Sequence, residues 1–363
     1  MNTVFKKITA LFFALTLFML SCPIALAKES GAPTLSAQSA VLYEAHSDTL
    51  LWEKDAHKPM PMASTTKIMT ALATLDALNA DECFPFPSAA VGVEGSSAYL
   101  TAGEVLSVKD MLYALLLQSA NDVATALAIL SDGSVEAFAQ RMNTLAKEYG
   151  CKSTHFDNPH GLHSENHYTC AADLAIIAEK LLENELLATI VKTKVHTVLT
   201  SETRRTFVNH NKLLSFDKDA VGVKTGFTKN SGRCLVGAAE KNGMLLISVT
   251  LNAPSDWSDH RKLWEYASDL YEYKCILKPH EYYDNLSLIG SVYPYITVTN
   301  EKRIELLMRK DEAEIKMHTE ALPLAAVPIR KGQVLGRLVL TQNGKEIYSV
   351  DLCATQEVFP HNI

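Results

Sequence analysis

Apolar residues follow two periods along this chain, strand-like alternation toward both ends and helical spacing through the middle. Within residues 33–56, Ser39-Ala40-Val41-Leu42-Tyr43-Glu44 and Thr49-Leu50-Leu51-Trp52-Glu53 flank a polar turn at His46-Ser47-Asp48, which predicts a hairpin. From Ser64 the pattern turns helical, with Ile68, Leu72, Leu75 and Leu78 three or four positions apart. A second helix opens at Ser107, where Ser107-Val108-Lys109-Asp110 resembles a capping box with Asp in place of Glu. Val123, Leu127 and Leu130 resume the period after Asn121-Asp122, so residues 119–121 fall at a junction between two helices. Residues 133–149 and 171–187 are helical in pattern, the latter with Leu174, Ile177, Leu181 and Leu182 on one face. Strands are predicted at 221–224, 234–239 and 245–251, the last two paired antiparallel across Lys241-Asn242-Gly243. A helix over 258–274 carries Leu263, Tyr266 and Leu270.

Past Leu277 the pattern shifts to short strands at 296–299, 303–308, 315–318, 334–340 and 346–352, with Asn343-Gly344 a type I′ hairpin signal. The expected fold is therefore α/β. Strands from the two ends of the first domain, residues 28–276, close one layered fold around a helical middle, and residues 277–363 form a small all-β domain.

The first 27 residues read as an address rather than as part of the fold. Lys6 and Lys7 precede an apolar run over 8–20, and Ala25-Leu26-Ala27 supplies a small-x-small cleavage site. The run is too short for a convincing spanning helix, although an uncleaved anchor remains the alternative. Cleavage is expected after Ala27, which places the mature chain outside the cytoplasm and leaves membrane association open. Its C-terminus, 353–363, is short and lacks a basic amphipathic face, so no strong membrane anchor is expected there.

Loss of Lys6 and Lys7, the charged residues of that segment, takes the net charge from −7 to −9. A chain this acidic and without a basic stripe argues against nucleic-acid binding. Beyond Cys22 there are six cysteines, Cys83, Cys151, Cys170, Cys234, Cys275 and Cys353, and none lies in a C-x-x-C. The even count permits disulfides in an exported protein, and buried reduced thiols serve equally well in a core this large.

Three short polar elements carry the chemistry: Ser64-Thr65-Thr66-Lys67, Ser119-Ala120-Asn121 and Lys224-Thr225-Gly226. Each alone is weak, because a second S-x-x-K occurs at Ser215 and Lys218 and a second S-x-N at Ser164 and Asn166. Order and spacing separate the set from these decoys: Ser119 follows Ser64 by 55 residues (119 − 64), and Lys224 follows it by 160 (224 − 64). Ser64 in the first turn of a helix meets the positive end of the helix dipole, and Lys67 on the same face reaches its hydroxyl. Serine requires an adjacent base, and lysine serves as one once burial and a neighbouring cation, here Lys224, lower its pKa. The Ser119 hydroxyl can relay a proton to a leaving group, and the Asn121 carboxamide can hold Lys67 and a substrate amide. Helix capping is the competing reading of both residues. Lys224 and Thr225 at a strand end would hold a carboxylate, while Gly226 admits the backbone of a substrate that adds as another strand. The backbone N–H groups of Ser64 and Phe227 are the candidate oxyanion donors.

The histidines offer a different chemistry. His155, His160, His163 and His167 crowd a turn-rich segment, yet no H-E-x-x-H accompanies them, so neither a metal nor any other cofactor is expected. A Ser-His-Asp triad lacks its G-x-S-x-G.

These motifs and their surroundings resemble the low-molecular-mass penicillin-binding proteins, specifically the serine-type D-alanyl-D-alanine carboxypeptidases. The resemblance rests on residues 61–71 around Ser64, on Phe156-x-Asn158-Pro159-x-Gly161-Leu162 with 167–173, on Asn209-x-Asn211-x-Leu213-Leu214, and on Lys224-Thr225-Gly226-Phe227-Thr228. It implies a serine β-lactamase/transpeptidase-like domain, an antiparallel sheet with flanking helices and a helical subdomain, followed by a β-sandwich-like domain. It further implies that Ser64 is acylated, that Lys67 takes the proton, and that Ser119 and Asn121 complete the site. Lys224, Thr225, Gly226 and Thr228 would bind substrate. The implied partners are peptidoglycan stem peptides and β-lactams. The same acyl-enzyme leaves transpeptidase or β-lactamase activity open, as well as a catalytically silent wall-binding role. Ala120 departs from the S-D-N of class A β-lactamases, and Glu165 is the nearest glutamate to a water-activating position, which argues against efficient antibiotic hydrolysis.

Overall fold

The computed structural model describes residues 31–360, so the expected export signal at 1–27 lies outside the described residues. In chain order, β1 (Ser39–Glu44) and β2 (Thr49–Lys54) form the first hairpin. A 3₁₀ turn, Ala63–Thr66, runs into α1 (Lys67–Ala77), and the short strands β3 (Cys83–Pro85) and β4 (Val105–Ser107) lead to α2 (Val108–Leu117). Four helices follow: α3 (Asn121–Asp132), α4 (Val135–Glu148), α5 (Ala171–Glu183) and α6 (Glu185–Lys192). The hairpin β5 (Val195–Leu199) and β6 (Arg204–Val208) and the short α7 (Leu213–Phe216) precede β7 (Ala220–Thr228), β8 (Gly232–Lys241) and β9 (Met244–Leu251), and α8 (Asp256–Leu270) closes the layer.

The long strands make one antiparallel sheet in the order β2-β1-β9-β8-β7. Neighbouring residues of a strand point to opposite faces, and here both faces are apolar. Val41, Val236, Ile247 and Val249 enter a core shared with the helical middle, whereas Ala40, Leu42, Leu235 and Leu246 pack against Leu263, Trp264 and Ala267 of α8. β1 pairs antiparallel with β9, Val41 opposite Val249, so the two ends of the domain meet in mid-sheet as the sequence implied. The β8–β9 turn has Asn242 at φ 53° and Gly243 at φ 79°, the left-handed pair that a type I′ turn requires. β7 is an edge strand, paired only with β8 within this sheet.

Several expected elements differ. The helix expected over 171–187 is two helices, broken at Asn184, whose side chain accepts from Leu187 N–H and caps α6. The helix expected over 258–274 stops at Leu270. From Tyr271 the Tyr-x-Tyr-x-Cys alternation continues as strand β10 (Tyr271–Leu277), aromatic residues at alternate positions fitting a pleated surface better than another helical turn. The boundary expected at 276/277 thus falls at the end of a strand. At Ser107 half of the capping box forms. Its hydroxyl oxygen accepts from Asp110 N–H at 3.0 Å, but the Asp110 carboxylate meets the Ser107 hydroxyl at 2.7 Å, because Asp is one methylene too short to return to the backbone. Strands β3 to β6, with their short or polar alternation, were not foreseen.

The remaining strands are β11 (Tyr283–Ile289), β12 (Tyr295–Asn300), β13 (Ile304–Arg309), β14 (Lys316–Ala321), β15 (Ala325–Ala326), β16 (Val334–Gln342) and β17 (Lys345–Ala354). A six-stranded sheet, β14-β16-β17-β12-β11-β15, and the β10–β13 pair share a core of Leu286, Ile296, Ile304, Leu340 and Leu352, forming a separate all-β domain. The six cysteines among the described residues are free thiols, with Cys170, Cys234 and Cys353 buried. Among the described residues no helix is long and apolar enough to cross a membrane.

Between the sheet and α8, His260 is fully buried, its ring nitrogens 2.6 Å from Ser248 Oγ and 3.0 Å from Thr250 Oγ1. Burial pulls its pKa down to about 3, whereas an unfolded histidine titrates near ~6.5. The unfolded chain therefore takes up a proton that the folded protein refuses, and stability contributed above about pH 6.5 is lost as pH falls toward about 3. His260→Gln should narrow the drop in urea midpoint between about pH 7 and about pH 4.5. A drop as large as that of the wild type would refute this account.

Candidate active site

The 3₁₀ turn before α1 sets the geometry. Ala63 adopts φ 49°, Ser64 follows half-buried, and Lys67 opens α1 fully buried. The Lys67 ammonium donates to Ser64 Oγ (3.1 Å), Asn121 Oδ1 (2.7 Å) and the His160 carbonyl (2.6 Å). Burial is the main cause that lowers its pKa well below the usual lysine range. The charge of Lys224 lowers it further, and Asp122 acts in the opposite direction.

Ser119 and Asn121 stand at the α2–α3 junction, as expected, but neither side chain caps α3. Ser119 is held at φ 62°, and its hydroxyl oxygen accepts from Lys224 Nζ at 3.0 Å. Asn121 turns its oxygen to Lys67 and donates through Nδ2 to the Glu94 carbonyl at 2.6 Å. A side chain at Gly95 would come within 2.6 Å of that Nδ2, so glycine is needed for the loop to approach the carboxamide. Asp122 fixes the same loop from beneath: its buried carboxylate accepts from Ser97 Oγ (2.6 Å), Ala98 N–H and Tyr99 N–H.

Lys224 is also buried on β7, donating to the Thr225 carbonyl at 2.9 Å, and burial lowers its pKa to about 7. Beyond it the β7 backbone runs against the serine turn, since a Cβ at Gly226 would sit 3.0 Å from Ser64 N and 3.1 Å from Met62 O. An open cleft of ≈ 400 Å³ lies over Ser64, Ser119, Thr225 and Gly226, with the exposed Phe227 at its rim. Thr228 is placed differently from its neighbours. Its hydroxyl lies 2.9 Å from Ser231 Oγ and closes the turn at the end of β7.

Sequence reasoning missed part of the site. The His160 carbonyl is aimed at Lys67 by an Asx turn in which Asn158 Oδ1 accepts from His160 N–H at 3.3 Å and also from Gly161 N–H at 2.7 Å. Asn158, Pro159 and Gly161 signalled a turn, but not which carbonyl it would present. Arg233 and Trp257 also line the cleft, the guanidinium lying 2.9 Å from Asp256 and 5.6 Å from the Trp257 ring centroid, and no motif marked them. The decoys Ser215 and Lys218 are exposed, as is Glu165. Among the described residues no group of three or more His, Cys, Asp or Glu is arranged to hold a metal.

A five-stranded antiparallel sheet with helical layers, joined to a separate β domain, is the fold of the penicillin-binding proteins. The chain belongs to the D-alanyl-D-alanine carboxypeptidase family, whose model matches residues 26–255. It is 33% identical over 353 residues to the D-alanyl-D-alanine carboxypeptidase DacF of Bacillus subtilis, covering 93% of this chain and 90% of the relative. The solved penicillin binding protein 5 from Haemophilus influenzae is similar with TM-score 0.73 and 26% identity, covering 90% of this chain and 99% of that one. A solved Streptomyces DD-transpeptidase shares 34% identity with TM-score 0.62 over 64% of this chain and 97% of its own.

The two buried lysines repel, which gives a signed expectation. Lys224→Met removes the cation that lowers the Lys67 pKa, so the acid limb of acylation by a chromogenic penicillin should move to higher pH, with a rate loss on the order of 10²-fold. A limb that stays in place or moves to lower pH would show that Lys67 is not the titrating base.

Proposed function

We propose that this chain removes the terminal D-Ala from peptidoglycan stem pentapeptides through an acyl-enzyme on Ser64, and that β-lactams acylate the same oxygen. The observation that carries the reading is the set of three acceptors around Lys67 Nζ, with Ser64 Oγ the longest contact at 3.1 Å. A neutral amine keeps two N–H bonds, which Asn121 and the His160 carbonyl take, and its lone pair is left for the Ser64 hydroxyl. Ser64 Oγ then bonds to the penultimate D-Ala carbonyl carbon as its proton passes to Lys67. The N–H groups of Ser64 and Phe227 receive the developing oxyanion. Collapse breaks the C–N bond, and the leaving nitrogen takes a proton through Ser119, which Lys224 holds. Water then hydrolyses the ester and restores the serine.

The substrate's terminal carboxylate is assigned to Lys224 and Thr225, and its backbone to the free edge of β7, where Gly226 leaves room for it. Thr228 contributes by shaping the turn that ends this edge. The apolar run and small-x-small site at the N-terminus support action outside the cytoplasm, where such peptides occur. Likeness to a Streptomyces DD-transpeptidase supports a second reading, in which an amine instead of water resolves the same acyl-enzyme.

A fluorescent penicillin should label the wild type and leave Ser64→Ala unlabelled, whereas persistent labelling of the variant would remove Ser64 as the nucleophile. Incubation with a pentapeptide should release free D-Ala and tetrapeptide. A cross-linked product forming when an acceptor amine is added would favour the transpeptidase.

A further inference from the structure

The peptide bond joining Ala63 to Ser64 is gripped at its carbonyl end by Thr66, an interior residue of the first motif, which is in turn held by His167 from outside the three motifs. Thr66 Oγ1 donates to the Ala63 carbonyl at 2.8 Å, and His167 Nε2 lies 2.7 Å from that hydroxyl. His167 Nδ1 accepts the backbone N–H of Asp157 at 3.1 Å, so the proton of the neutral ring is on Nε2. The chain therefore has one direction: His167 Nε2–H to the Thr66 hydroxyl, and the Thr66 hydroxyl to the Ala63 carbonyl.

All three residues are buried, His167 at 4%, Thr66 at 0% and Ala63 at 2% exposure. Phe156 meets the imidazole edge-on, with ring centroids 5.8 Å apart. Gly161 closes against the same carbonyl, for a Cβ there would overlap the Ala63 oxygen. Ala63 itself, at φ 49°, holds a conformation that non-glycine residues keep only when their surroundings impose it.

A peptide unit is planar, so the direction of the carbonyl fixes the direction of the N–H at its other end. That N–H belongs to Ser64. We propose that His167 is a positioning residue for the oxyanion hole, acting through Thr66 and the Ala63 carbonyl to aim the Ser64 N–H at the oxygen of the tetrahedral intermediate. The inference rests on the reading of Ser64 as the acylated nucleophile. A hydrogen bond accepted by the carbonyl also polarises the amide, which strengthens its N–H as a donor. Burial holds the His167 pKa down to about 4, so the ring is neutral, with its donor in place, at neutral pH.

The test compares wild type, His167→Ala, His167→Gln and Thr66→Val in three measurements: penicillin acylation rate, KM for a pentapeptide, and affinity for a peptidyl boronic acid. The boronate adduct is tetrahedral and places an oxygen in the hole. His167→Ala and Thr66→Val should each lose roughly 10–100-fold in acylation rate and a matching factor in boronate affinity, with KM changed by less than about twofold. His167→Gln, whose amide nitrogen can still donate to Thr66, should recover most of both. The inference is overturned if folded His167→Ala or Thr66→Val keeps rate and boronate affinity within about twofold of wild type. It is also overturned if the loss appears in KM alone, or if Gln rescues no better than Ala. Should His167→Ala fail to fold, Thr66→Val decides, since it leaves the imidazole in place. Mapping the penicillin adduct on the wild type keeps the two claims apart: an adduct away from Ser64 defeats the underlying reading, whereas an adduct on Ser64 with unaffected variants defeats only this one.

Discussion

Two lysine ammonium groups buried in one site set the terms for everything around them. Lys67 and Lys224 are each within 1% of complete burial, and removing a charge from water is expensive unless donors find acceptors or the group gives up its proton. The structure does both. Lys67 is ringed by a hydroxyl, a carboxamide and a backbone carbonyl, none of which carries a full charge to stabilise the cation. Asp122, which acts to raise the Lys67 pKa, turns its oxygens to the N–H groups of the loop at 97–99 rather than to the lysine. The outcome is an amine that yields its proton readily and sits beside a serine. An ion pair with a carboxylate at the same place would have produced a stable salt bridge and no base.

The burial has a structural cost that appears as backbone strain. Ala63, Tyr99 and Ser119 all have positive φ: Ala63 opens the serine turn, Ser119 accepts from Lys224, and Tyr99 lies in the loop that Asn121 and Asp122 hold. Each is supported from outside: Ala63 by Thr66 and Gly161, Tyr99 by the Asp122 carboxylate, Ser119 by the Lys224 ammonium. Strain concentrated where side chains must converge, and held by packed neighbours, is what a preorganised site requires.

These relations explain which features could be read from the amino-acid order. Period-two and helical spacings gave the long strands and α1 to α4, because each reports a face that must be buried. Asn242-Gly243 and Asn343-Gly344 fixed two hairpins through their left-handed backbone alone. The motif residues were legible because serine, lysine and asparagine have few reasons to recur in that order. The break at Asn184 was hidden because apolar spacing continues across it, and Tyr271–Leu277 because Tyr273 prolongs the helical spacing of Leu263, Tyr266 and Leu270. The His160 carbonyl was beyond reach for a different reason: a backbone acceptor carries no residue-type signature, and only the Asx turn of Asn158 decides where it points. His167 was read as one of a crowd of histidines, since its role depends on which ring nitrogen meets the Asp157 N–H.

The departure at Ala120 has a physical explanation in the same terms. Ala120 is fully buried at the start of α3, with its side chain in the core shared by the helices and the sheet. Ser119 and Asn121 point into the site, and the residue between them points away, so the middle position answers to packing and not to the reaction. A carboxylate there would be a desolvated charge with the apolar core on one side. With alanine between them, Ser119 and Asn121 still meet Lys224 and Lys67. What distinguishes resolution of the acyl-enzyme by water from resolution by an amine must be sought on the open side of Ser64, where the free edge of β7, Phe227 and the Arg233–Trp257 pair border the cleft.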